Sequence, residues 1–286
     1  MSTQLKNIFK YLFIGNLIIL IVSGFIDLPL SLAVYNPSSW FGNFFAAYGA
    51  LPLLLCVYFI SLVLLDNVRQ VNITTKKLVN LFFGILVLLG GLYMNWFYGV
   101  YYLDITPLVS SVVTAVFFVV VVFMSYHYIF LNGDVKAIRK VAVILALSVL
   151  ATIVIVFIIK NIWGRPRMRY IVNKDNIELF RSWWQIKPST KIGTSIFSDL
   201  SEDFQSFPSG HTANAALMLF LPVLSIMNAT LKDKEKTFIV IGIVWTVLVA
   251  ISRIIMGAHF ISDVTVSFLI TLIIVYIGFS YMYKKN

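Results

Sequence analysis

The sequence predicts an all-α polytopic membrane protein with about eight transmembrane helices. Hydrophobic residues make up 60% of its 286 positions, against roughly 45–50% in soluble globular chains. Charged residues are only 12% and the mean hydropathy is +0.92, so a soluble domain of this size would lack a polar skin. The apolar residues also fall into runs of about 20, the length that crosses a hydrocarbon core. Disorder is excluded, because it requires low hydrophobicity. A disulfide scaffold is excluded too, since Cys56 is the lone cysteine.

The runs lie at 8–26, 45–65, 78–98, 107–131, 141–159, 210–229, 237–257 and 260–283, and none carries Lys, Arg, Asp or Glu in its middle. Turn chemistry separates them: Asp27-Leu28-Pro29, Asn36-Pro37, Asn132-Gly133-Asp134, and Gly257 closing one helix just before the next. Lys6 and Lys10 precede the first run as in a signal peptide, but no small-x-small cleavage site follows it. That run is therefore expected to be an uncleaved first helix.

Orientation follows from the distribution of lysine and arginine. With the N-terminus inside, inner segments hold 13 of the 22 basic residues, and the outer loops 27–44 and 99–106 hold none. Both termini are then expected to be cytoplasmic, in a multi-pass protein of a bacterial cell membrane. The other nine, among them Lys160, Arg165, Arg167 and Arg253, break the positive-inside rule together at the outer face. Topology does not account for them; an anionic ligand does. Nucleic acid is excluded as that ligand, because the basic residues never interleave with aromatics on one face. The hydrophilic segment 160–209 carries Trp163, Tyr170, Phe180, Trp183 and Trp184 and reads as an interfacial outer loop with an aromatic belt.

Three groups gather at that outer rim. Lys160 and Arg167 lie at the end of the fifth run, Pro208-Ser209-Gly210-His211 at the start of the sixth, and Ser252-Arg253, His259 and Asp263 around the turn between the last two. Lys160, Arg167 and Arg253 supply fixed positive charge and donors for a phosphoryl group. Ser209 and Gly210 stand where a helix begins, with free backbone N–H groups and the positive dipole end. His259 and Asp263 are four apart, so a carboxylate can hold one imidazole nitrogen and leave the other to attack. His211 is a second imidazole, available to protonate a leaving alkoxide. Each piece alone has a bland reading: a snorkelling cation, a helix cap, a polar plug. His127 keeps that reading, having no partners. The acidic stretch Asp199, Glu202 and Asp203 reads as a solvated loop rather than a cation site, so no metal and no cofactor are expected.

These groups resemble the three signature motifs of the type 2 phosphatidic acid phosphatase family, the integral-membrane lipid phosphatases. Lys160 and Arg167 have the first motif's spacing, although Met168 replaces its proline and Arg165-Pro166 offers a second register. Pro208 to His211 match the second motif and Ser252 to Asp263 the third. The resemblance covers roughly 150–275. It implies His259 as nucleophile, forming a phosphohistidine, with Asp263 orienting it. His211 would be the acid, and Lys160, Arg167, Ser209, Gly210 and Arg253 the phosphate ligands, without a metal. It further implies a six-helix core. The first motif ends the fifth helix here rather than the third, so residues 1–140 hold four helices with one extra hairpin, and 141–286 form the catalytic region.

The expected activity is hydrolysis of a membrane lipid phosphate at the extracytoplasmic face. Phosphatidate, phosphatidylglycerol phosphate, a polyprenyl diphosphate and a lipid A phosphate all fit, and a lipid-linked phosphotransferase would use the same residues. A transporter or lipid-phosphate-binding protein is the rival from another class. It would place its charges near the bilayer midplane, whereas here they gather at one rim.

Overall fold

The computed structural model describes residues 1–187 and 202–284. Lys191, Asp199 and part of the outer loop lie outside the described residues. Among these, eight helical stretches are long and apolar enough to cross a membrane: Thr3–Val34, Trp40–Gln70, Thr74–Leu103, Pro107–Phe130, Val135–Asn173, Gly210–Met227, Ala229–Ile255 and Ile261–Met282. The protein is all-α and polytopic.

Helix α1 (Thr3–Val34) begins where the Ser2 hydroxyl accepts the Leu5 N–H at 3.2 Å. It does not stop at Asp27-Leu28-Pro29, as expected, but runs through Pro29. Proline normally ends or kinks a helix. Here Asp27 finds partners on other helices and is 2% exposed, so its carboxylate has no need of an aqueous loop. The second span is α2 (Trp40–Tyr48) and α3 (Leu51–Gln70), broken at Gly49-Ala50. Helices α4 (Thr74–Leu103) and α5 (Pro107–Ser125) follow, the latter capped by Thr106 and prolonged by a π-turn, Tyr126–Phe130. The Asp134 carboxylate caps α6 (Val135–Trp163), and Gly164, at φ +64°, closes it.

The short α7 (Met168–Asn173) follows, and the sixth span is made of α8 (Gly210–Ala216), a 3-10 stretch Leu217–Val223 and α9 (Leu224–Met227). Helices α10 (Glu235–Ile255) and α11 (Ile261–Met282) are joined by a turn in which Gly257 takes φ +62°, the left-handed closure its position predicts.

Lipid tails are as apolar as leucine, so close packing rather than dehydration joins these helices. Gly242 on α10 shows how tight the fit is: a Cβ there would lie 2.8 Å from the Met218 carbonyl oxygen. Helix α1 packs on α11, α3 on α6 and α8, and α11 on α6 and α8; α4 and α5 pack on each other and on α3. Between α5 and the 217–227 segment lies a cavity of about 510 Å³, lined by apolar side chains such as Phe117, Val121, Leu217 and Phe220. Outside it, Leu53, Val149, Leu219 and Phe279 join the main buried cluster.

Candidate active site

The site is assembled by four segments that the local sequence brings to one rim. Gly164 turns the chain out of α6, and the next residues run beside 203–206: Arg167 N–H donates to the Asp203 carbonyl at 2.8 Å and Ser206 N–H to the Arg165 carbonyl at 3.0 Å. Arg169 N–H donates to the Gly257 carbonyl at 2.9 Å, tying this segment to the α10–α11 turn. Met168, Ile171 and Phe260 pack beneath as a small apolar cluster. Met168 is wholly buried, which gives a packing reason for an apolar side chain at that place.

The expected residues are brought together. Lys160 donates to the Gln205 carbonyl at 2.5 Å, and a Cβ on Gly210 would stand 3.8 Å from Lys160 Cε. Arg167, 7% exposed, pairs through Nη1 with Glu202 at 2.9 Å, while its Nε is buried without a partner. Arg253 is 4% exposed; its one described side-chain contact is to the Met256 sulfur at 3.7 Å, and its Nε too is without a partner. His211 Nε2 is likewise buried and unpartnered. Ser209 is placed as a cap: its hydroxyl accepts Thr212 N–H at 3.4 Å and Thr212 Oγ1 at 3.0 Å, and its own N–H donates to the Asp263 carbonyl at 3.2 Å.

His259 lies in the α10–α11 turn, and its Nδ1 is 2.6 Å from the Ser206 carbonyl. A carbonyl only accepts, so Nδ1 carries the proton and the Nε2 lone pair is left free. Burial, with the Lys160 and Arg167 charges adding to it, pushes this imidazole down to about 3 against the opposing Asp263 carboxylate. It is therefore neutral near pH 7. The Glu202 carboxyl is raised by its partial burial, but the Arg167 and Arg169 guanidiniums outweigh that and hold it below its usual range.

Asp263 differs from expectation in detail. Its Oδ2 is 3.8 Å from His259 Nδ1, too far for a direct hydrogen bond. It accepts instead from Ser206 Oγ at 2.5 Å and Phe260 N–H at 2.8 Å, while Oδ1 takes Arg165 Nη1 at 2.5 Å. Sitting in the first turn of α11, the carboxylate is drawn back to the helix's own free N–H group. It thus reaches His259 through Ser206, whose carbonyl accepts the imidazole N–H.

Other residues enter the site beyond those expected to act there. Tyr102, from the outer end of α4, stands edge-to-face on His211 with ring centroids 5.6 Å apart. Arg165 is completely buried and bridges Asp27 and Asp263. Asp27 carried a signal, since apolar residues resume beyond it at 28–34 and a carboxylate inside an apolar run marks a site. Ser206 and Tyr102 carried none. His127, in the π-turn Tyr126–Phe130, stacks on Phe123 of α5, far in sequence from these groups. Among the described residues, no three His, Cys, Asp or Glu side chains gather with metal-ligand spacing.

Fold and site together define a class: a polytopic membrane protein with buried cationic side chains gathered near a neutral imidazole. The chain belongs to the PAP2 superfamily, whose family model matches residues 141–286. It is 37% identical over 91 residues to a phosphatidylglycerophosphatase B of Bacillus subtilis (strain 168), which covers 28% of this chain and 41% of that protein. A phosphatidylglycerophosphatase B of Haemophilus influenzae is 37% identical over 86 residues, covering 30% and 36%. The chain thus spans about two fifths of the length of the curated relatives it matches. No solved structure matches.

Proposed function

We propose that this protein is a lipid phosphate phosphatase, working from the extracytoplasmic face through a phosphohistidine at His259. One observation carries the reading: Arg167, Arg253 and His211 each bury a nitrogen with no partner among the described residues, and all three come to one rim with the neutral His259. A buried unpaired donor costs about 1–3 kcal/mol, and a phosphoryl group offers acceptors for all of them. In the first step His259 Nε2 bonds to phosphorus, the bond to the lipid oxygen breaks, and His211 gives that oxygen its proton. In the second, His211 takes a proton from water, the oxygen attacks phosphorus, and inorganic phosphate leaves as His259 is restored. Lys160, Arg167 and Arg253, with the backbone at Ser209 and Gly210, hold the phosphoryl oxygens. Three such cations balance a phosphoryl charge without a divalent ion.

The distribution of basic residues supports the orientation, with both termini inside and the site outside. The packing of α4 and α5 on α3, rather than on α6 to α11, supports these two as the hairpin added to the family core. The relatives' names make phosphatidylglycerol phosphate the first substrate to try. Purified protein should release phosphate from it, or from another member of a lipid phosphate panel, in chelator, and vanadate should inhibit. Activity that vanishes in chelator and returns with magnesium would overturn the metal-free reading. Transfer of the phosphoryl group to a lipid acceptor instead of water would make the protein a phosphotransferase.

A further inference from the structure

We propose that Asp27, on α1 and outside the family-matched region, is a positioning residue: through Arg165 it sets the charge and placement of Asp263 behind His259. The proposal rests on the phosphatase reading above.

Arg165 is 0% exposed and nearly every donor it has is spoken for. Nε donates to the Arg181 carbonyl at 2.8 Å, Nη1 to Ser262 Oγ at 2.6 Å and Asp263 at 2.5 Å, and Nη2 to Asp27 at 2.9 Å. Its guanidinium lies 4.3 Å from the Phe260 ring centroid and 5.5 Å from that of Phe180. A planar fork held this way cannot swing toward a substrate. Arg165 is therefore committed to two carboxylates.

Asp27 is equally committed. Its Oδ1 accepts Ser262 N–H at 3.0 Å, and its Oδ2 accepts Ser262 Oγ and Arg165. It thus grips the residue beside Asp263, in the first turn of α11, from α1, which packs on α11.

The charges explain the consequence. Two carboxylates and one guanidinium leave one net negative charge in a dry shell, where charges act strongly. Asp263 is the member nearest His259, at 3.8 Å. When His259 Nε2 bonds to phosphorus, the ring becomes more positive, and that residual charge stabilises it. Removing only the charge of Asp27 lets Arg165 neutralise Asp263 fully, and the transition state loses its counter-charge. Removing Asp27 and Arg165 charges together restores one net negative charge on Asp263.

Asparagine keeps the side chain's shape and an acceptor for Ser262 N–H, and loses the charge and the oxygen that faces Arg165. Asp27→Asn therefore separates charge from shape. The full-length protein in detergent should show phosphoenzyme formation slowed about tenfold or more, as for partners behind a reacting group, with KM and vanadate inhibition little changed. Asp27→Glu, which keeps the charge, should return part of that rate. The loss should be equal for lipid phosphate and nitrophenyl phosphate, because leaving-group protonation is not involved. Arg165→Gln should lower the thermal midpoint, because two buried carboxylates lose their shared partner. Asp27→Asn combined with Arg165→Gln, which leaves one net negative charge again, should have a faster first turnover than Asp27→Asn alone. If Arg165→Gln does not fold, the Asn and Glu variants at 27 still decide. An unchanged first-turnover rate in Asp27→Asn, or a lowered thermal midpoint with kcat intact, overturns the proposal and leaves Asp27 structural. A wild-type protein that hydrolyses no lipid phosphate overturns instead the reading beneath it.

Discussion

The two halves of this chain differ in the charge they bury. In residues 141–286 the polar and charged groups are buried together at one rim: Arg165, Arg167, Ser206, Ser209, Arg253, His259 and Asp263 are all under 9% exposed. In residues 1–140 the helices turn wide apolar faces outward, with Phe25, Phe82, Leu108 and Val119 well exposed, as suits contact with lipid. Two residues cross this division, Asp27 from α1 and Tyr102 from α4. The N-terminal half is thus not a mere spacer in the membrane. It touches the site at two points, one electrostatic and one through a ring.

Variants in the C-terminal half should show the largest effects. His259→Ala removes the nucleophile and should abolish turnover of every phosphate ester in a protein that still folds, as measured by phosphate release. Next come the arginines two residues apart. Arg167→Ala should cost about 3 kcal/mol of transition-state stabilisation, roughly 100-fold in kcat/KM, with the thermal midpoint little changed. Arg165→Ala strips the shared partner from two buried carboxylates and should cost about 3–5 kcal/mol of stability, seen as a collapse of the thermal midpoint. Reversed behaviour would shift the first motif's register by two and make Arg165 the phosphate ligand.

The comparison sharpens at His211, which the two halves share through Tyr102. A general acid supplies roughly 100- to 10,000-fold when the leaving oxygen needs a proton. His211→Ala should therefore slow the first turnover of a lipid phosphate far more than that of nitrophenyl phosphate, whose leaving group departs unaided. Equal losses would remove His211 from the acid role.

The smallest expected effect is on pH. His259 is held down to about 3 by burial, against about 6.5 in an unfolded chain. Below about 6.5 the unfolded state takes up a proton that the folded state refuses, so this residue's contribution to stability is complete above that pH and is lost as pH falls toward 3. Thermal midpoints at pH 7 and pH 5 should differ less in His259→Gln than in the wild type. The wild-type nucleophile should stay unprotonated at pH 5, so any acid loss in first-turnover rate belongs to another group.

Much of this was legible in the sequence, for identifiable reasons. A membrane span needs about 20 apolar residues in a row, a local signal, and all eight were readable. The motif residues were readable because His259 and Asp263, or Lys160 and Arg167, are near neighbours in the chain. Asp27 was misread as a helix end because its partners, Arg165 and Ser262, are distant in sequence, and a buried ion pair between remote segments leaves no period to read. The indirect reach of Asp263 to His259 depends on a backbone carbonyl, that of Ser206, whose direction no side-chain pattern encodes. Tyr102 was hidden beside neighbouring tyrosines, Tyr98 and Tyr101, just past the end of the third apolar run.

The central claim is a covalent phosphoryl group on His259, and trapping it tests that claim most directly. Purified protein mixed with lipid carrying a radiolabelled terminal phosphate should be quenched in alkali, since acid destroys phosphohistidine, and then digested and sequenced by mass. The account predicts label on the peptide containing His259, within one turnover, and no label on any peptide of the His259→Ala variant. Label on His211, or full phosphate release by the His259→Ala protein, would contradict it.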